Sequence, residues 1–214
     1  MENMKEYVNL YAYKDSFFLI LTISFLLISI LKSTYWKHTI LLLKGLFYQR
    51  YSNQFLREDN VFTERVNIIA SFILILNLSL LIAYFFDIIL LYKLMLIIIK
   101  VALFYLIKVV IIWSISKVFM LREIGKLAIF FSLLFDRAFG ILIFPLLFFL
   151  YFFYFETVII SSLIIMLFIT FFILKIFSLW KIGKFNFGFS HFYIFLYLCI
   201  VEIFPILLLV KNKI

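Results

Sequence analysis

The residues best placed to do chemistry in this chain are ionisable side chains set in long apolar runs. Lys93, Lys100 and Lys108 are spaced seven and eight apart. On a helix those offsets keep all three within an arc of about 80°. Glu202 is the one charge between Phe192 and Val210, and Pro205 follows three residues later. A carboxylate in such a run would pair with a cation, or be protonated because hydrocarbon does not solvate its charge. Pro205 lacks an N–H, so the carbonyl of Val201 loses its helical donor, and a protonated Glu202 could donate to it. Lys100 and Glu202 are the expected intramembrane polar pair, as a structural tie or a proton or ion site.

Other polar groups cluster where apolar runs end. Arg50, Asn53, Gln54, Arg57, Glu58, Asp59, Asn60, Glu64 and Arg65 form the densest patch. They read as a solvated interfacial face and as the natural docking surface for a partner. Asp136 and Arg137 are adjacent, hence about 100° apart on a helix and poorly placed to pair with each other. They are expected to anchor at an interface or to pair with first-loop charges, and Arg137 could touch an anion or a lipid headgroup. His38 and His191 are too few and too scattered to indicate haem ligation. Cys199 is the single cysteine and reads as a small buried hydrophobe. No zinc spacing, phosphate loop, HExxH or Ser/His/Asp arrangement occurs, so no catalytic residue, metal or cofactor is expected.

The elements that position these residues follow from composition. The 214 residues are 67% hydrophobic, with 31 Phe and a mean hydropathy of +1.22. Soluble domains are only about half apolar, so the expected class is an all-α integral membrane protein. The net charge of +9 is read as cationic residues facing anionic lipid. No basic run is dense enough for nucleic acid. The bilayer and other membrane proteins are the expected partners.

A spanning helix takes about 20 mainly apolar residues. Six runs qualify: 16–31, which is short, then 66–86, 94–116, 138–155, 157–177 and 190–210. They do not alternate as the strands of a barrel would. Nothing in the first fifteen residues reads as a cleavable signal. With six spans, thirteen Lys and Arg fall on the side of the first loop and five on the side of both termini. The positive-inside rule then predicts a cytoplasmic first loop and outward termini. Within those spans Lys100 lies about 9 Å and Glu202 about 13 Å from the outer edge.

The first loop, 32–65, carries Ile40, Leu43, Phe47 and Tyr51 at helical spacing with basic residues between them. This predicts an interfacial amphipathic helix, with Asp59 or Asn60 capping the next span. Between Leu121 and Pro145 the expectation is an interfacial helix to about Phe135, a bend at Asp136–Arg137, and then the fourth span. No internal repeat or low-complexity linker is visible, so the chain is read as a single polytopic domain.

Two stretches, "FYQRYSNQFLREDNVFTERVNIIASFIL" and "FSHFYIFLYLCIVEIFPILLLVK", resemble an integral membrane family of Bacteroidetes, the domain-of-unknown-function family 4271. "FDRAFGILIFPLLFF" is similar as well. Arg50, Gln54, Arg57, Glu58, Arg65, Glu202 and Pro205 occupy the motif positions. The resemblance implies a multi-spanning inner-membrane protein of a Gram-negative bacterium and assigns no catalytic residue. "RAFG" at Arg137, with "HFYIF" 54 residues on, faintly resembles the proton-channel subunit of ATP synthase, but the asparagine and glycine pattern that should follow the arginine is missing. The expected function is a scaffold or accessory subunit of an envelope complex. The alternatives are a small transporter or ion-pathway subunit using Lys100 and Glu202, and an intramembrane lipid enzyme for which no acid/base set is visible.

Overall fold

The computed structural model describes residues 2–58, 61–86, 90–118, 122–152 and 157–185. Regular structure among them is entirely helical: α1 (Glu2–Thr34), α2 (Trp36–Lys44), α3 (Gln49–Arg57), α4 (Val61–Phe85), α5 (Leu91–Val118), α6 (Arg122–Leu142), α7 (Phe144–Phe152) and α8 (Thr157–Phe185). Asp59 and Asn60, expected to cap α4, and the sixth expected span with Glu202 lie outside the described residues.

Among the described residues, five helical stretches are long and apolar enough to cross a membrane: Phe17–Thr34, Val61–Phe85, Leu91–Ser114, Gly125–Phe152 and Ser161–Trp180. Their outward faces are apolar too. On α5, Met95, Ile99, Leu103, Leu106 and Val110 are all exposed. Such a surface would aggregate in water, whereas acyl chains solvate it. All-α architecture with several apolar spans makes this a membrane protein.

Two differences from the sequence reading have clear physical causes. The chain does not bend at Asp136–Arg137. Helix α6 runs through both charges, and the break falls at Ile143. Pro145 has no N–H for the carbonyl of Ile141, which explains a break there. Backbone bonds from Ile143 to Phe139 (2.9 Å) and from Leu147 to Ile143 (3.0 Å) keep α7 nearly in line with α6. The first loop is also not one amphipathic helix. It folds into the α2–α3 hairpin, turned at Gly45–Tyr48. Gly45 lies at the close approach, where a Cβ would sit 3.2 Å from Ser52 Cβ. The turn takes Phe47 off the expected stripe and leaves it 70% exposed, while Tyr35, Thr39, Leu42, Leu46 and Phe55 are buried.

The chain forms two compact units, 1–103 with 134–168, and 104–133 with the chain from 169 on. In the first unit α1, α4 and α7 pack together and the α2–α3 hairpin folds against α1 and α4. Contact order fixes the directions. Phe17 stacks on Tyr151 at 4.6 Å and Phe25 on Phe144 at 6.2 Å, so α1 is antiparallel to α7. Arg137 meets Asn67 and Ser71, Asn77 meets Gly140, and Tyr151 donates to the Leu80 carbonyl at 2.8 Å. Helices α6 and α7 therefore run parallel to α4. In the second unit Gly125 lies against Ser116, where a Cβ would collide, Lys117 sits 5.1 Å from the Trp113 ring, and Lys108 and Lys175 are buried.

Gly140 sets the α4–α6 spacing, because a Cβ there would lie 2.6 Å from Leu74 Cα. Backbone cannot yield as a side-chain tip can. Gly140→Ala is expected to destabilise the protein by about 1–3 kcal/mol, read as a lower unfolding midpoint in mixed micelles. An unchanged midpoint would contradict this packing.

Candidate functional site

The strongest polar constellation in the apolar body lies between α4 and α6. On α4, Glu64, Asn67 and Ser71 recur at spacings of three and four, so they share one face. On α6, Arg137 is half-buried opposite them. Its Nε donates to Ser71 Oγ at 2.9 Å, and its Nη1 donates to Asn67 Oδ1 at 2.7 Å. Ser71 Oγ in turn donates to the Asn67 carbonyl at 2.7 Å. A planar guanidinium is therefore held at two points by neutral oxygens.

This arrangement explains how Arg137 sits within a span. Its guanidinium bonds Asn67, six residues into the Val61–Phe85 span and about 9 Å from the start of that span. A cation at such a depth costs a few kcal/mol unless polar groups face it. One turn further along, Asn77 is fully buried and donates to the Gly140 carbonyl at 2.8 Å. The pair of helices is thus tied at two levels.

Arg137 opens onto a groove of about 230 Å³ lined by Glu64, Asn67, Ile68, Ser71, Phe72, Ile75 and itself. Glu64 stands exposed near the start of α4, and Ile68 and Phe72 are 50% and 57% exposed. The groove is polar at one end and apolar along its length.

A second cluster joins the hairpin to α4. Arg65 Nη1 donates to Tyr35 Oη at 3.3 Å, and Gln54 Nε2 donates to Glu58 Oε1 at 2.9 Å. His38 Nδ1 lies 3.5 Å from Glu58 Oε2, and its ring stacks on Phe62 at 6.0 Å. Thr63 Oγ1 donates to the Glu58 carbonyl at 3.1 Å, which ties the start of α4 to the end of the hairpin. Arg50, Gln54 and Arg57 share the outward face of α3, while Ser52 and Phe55 are buried.

The structure therefore brings Gln54, Glu58 and Arg65 into one cluster and sets Arg137 in a separate seam. Asp136 is half-buried and makes contacts of its own. Lys100 is exposed on α5, whereas Lys108 is buried. Glu202, the expected partner of Lys100, lies outside the described residues. Asn67, Ser71, Asn77 and Tyr35 were missed by sequence reasoning. The three-and-four spacing of Glu64, Asn67 and Ser71 along an apolar run was the available signal for two of them. Among the described residues no three of His, Cys, Asp and Glu come together as a metal set.

The model of the family described as "Domain of unknown function (DUF4271)" matches residues 17–212. No curated protein and no solved structure matches the chain.

The seam predicts a measurable coupling. In a double-mutant cycle, Asn67→Ala and Arg137→Gln should each destabilise, with an interaction energy of about 1 kcal/mol or more. Additive effects on the unfolding midpoint would mean the two side chains do not meet.

Proposed function

We propose that this chain, which belongs to the DUF4271 family, is an accessory or scaffolding subunit of a membrane complex in the bacterial inner membrane. The observation that carries this reading is the α2–α3 hairpin. It is folded against α1 and α4 and turns a ready-made surface outward. Lys37, Lys44, Arg50 and Arg57 are exposed there, together with Trp36, Phe47 and Tyr48. Arginine and aromatic side chains are the types enriched at protein interfaces. Lysine, tyrosine and tryptophan also suit the membrane–water boundary. The hairpin would thus lie at the cytoplasmic surface, with its aromatic residues among headgroups and Arg50, Gln54 and Arg57 facing an acidic partner. The positive-inside bias favours this side, with both termini outside.

The polar side chains of the first unit support a structural role. Arg137, Asn77 and Tyr151 each bond a neighbouring helix, as expected of ties that fix helix register. A second reading, a small transporter or ion-pathway subunit, draws on Lys100, an exposed cation within the Leu91–Ser114 window. Glu202 would be its counter-charge, and Glu202→Gln would then abolish ion-dependent transport in vesicles.

The scaffold reading is tested by gentle detergent purification of tagged protein followed by mass spectrometry. Wild type should retain a reproducible membrane partner. Arg50→Glu with Arg57→Glu should lose it, with yield and unfolding midpoint within about 0.5 kcal/mol of wild type. Reproducible absence of any partner from wild type would overturn the reading.

A further inference from the structure

We propose that the groove between α4 and α6 holds a phospholipid with a zwitterionic amine headgroup, its phosphate on Arg137 and its ammonium on Glu64. The charges of the site lead to this choice. Among the described residues, Arg137 bonds the neutral oxygens of Ser71 and Asn67, and neither bond uses Nη2. A guanidinium presents five N–H donors, and two fixed at Ser71 and Asn67 orient the remainder. A phosphate diester is the acceptor whose geometry and charge match that edge of an arginine.

Glu64 decides which phospholipid. It lines the same groove and is exposed near the first turn of α4. An anionic headgroup would meet repulsion from the Glu64 carboxylate. A phosphoethanolamine carries its own cation, and its ammonium can donate to the Glu64 carboxylate. A choline headgroup keeps the charge but has no N–H to donate, so it should rank lower.

The apolar part of the groove continues the same logic. Ile68, Phe72 and Ile75 follow Glu64 at spacings of four, four and three along α4. They form a stripe about 10 Å long beside the polar residues. A groove of about 230 Å³ accommodates a headgroup but not two acyl chains. The chains would lie outside it, along the exposed faces of Ile68 and Phe72. In water this half-open groove would be a defect. In a bilayer it is a lipid-shaped notch whose polar end lies toward the start of α4.

The test is native mass spectrometry of the detergent-purified full chain, titrated separately with phosphatidylethanolamine, phosphatidylcholine and phosphatidylglycerol of matched chains. Wild type should keep one phosphatidylethanolamine, bound about tenfold more tightly than phosphatidylglycerol. Arg137→Gln should weaken that lipid about tenfold or more. Because Arg137 also ties two helices, Glu64→Gln supplies the second arm at an exposed position. It should reduce or reverse the preference for the amine headgroup while total lipid retention persists. Equal retention of all three lipids by wild type, or an unchanged preference in Glu64→Gln, would mean annular lipid only and would overturn the proposal.

Discussion

The first unit depends on one constraint: a guanidinium inside an apolar helix must be met by polar atoms. Arg137 meets that constraint only where α6 presents it to Asn67 and Ser71. A slip of α4 against α6 by one residue would rotate those oxygens about 100° away. Lipid supplies little hydrophobic preference for one helix register over another, so interhelical bonds and close packing have to specify it. The other ties follow in the same order along both helices. Gly140 fits against Leu74, Asn77 reaches the Gly140 carbonyl, and Tyr151 reaches Leu80. Phe17 then stacks on Tyr151 and brings in α1 from the opposite direction.

The start of α4 links this seam to the hairpin. Glu64 and Arg65 are consecutive, so they leave the helix about 100° apart. Glu64 lines the groove beside Arg137, and Arg65 bonds Tyr35 at the head of α2. A single turn of helix thus serves both the lipid notch and the surface from which Arg50 and Arg57 project. A lipid bound at Glu64 and a partner docked on α3 would lie at the same end of α4.

Much of the fold was legible because it is written in continuous apolar length. The five candidate spans fall on the first five runs of the sequence reading, and the helical class follows from the need to satisfy every backbone group in lipid. What the sequence hid was tertiary. Adjacent charges at Asp136–Arg137 looked like a helix end, because the cost of burying them is local and visible. The offsetting oxygens of Asn67 and Ser71 are about seventy residues away. In the first loop, spacing alone favoured one helix over Ile40, Leu43, Phe47 and Tyr51, and the approach of Ser52 to Gly45 could not be read from spacing. The Lys93–Lys100–Lys108 stripe divides into two exposed cations and one buried one. Periodicity aligned the three residues but did not indicate which neighbours cover the last.

The central claim is that α4 and α6 run in parallel, in the register that brings Arg137 to Asn67 and Ser71. Its most direct test is oxidative cross-linking in native membranes of Leu74→Cys with Gly140→Cys, in a Cys199→Ser background. An ideal Cβ at 140 lies 2.9 Å from Leu74 Cβ, so the helices must part by about 1 Å, at the cost expected for Gly140→Ala, to reach the usual disulfide separation of about 3.5–4.5 Å. The account predicts rapid intrachain disulfide formation, read by thiol labelling. Persistence of both free thiols under oxidation, with cross-linking instead at a position one residue along α6, would contradict it.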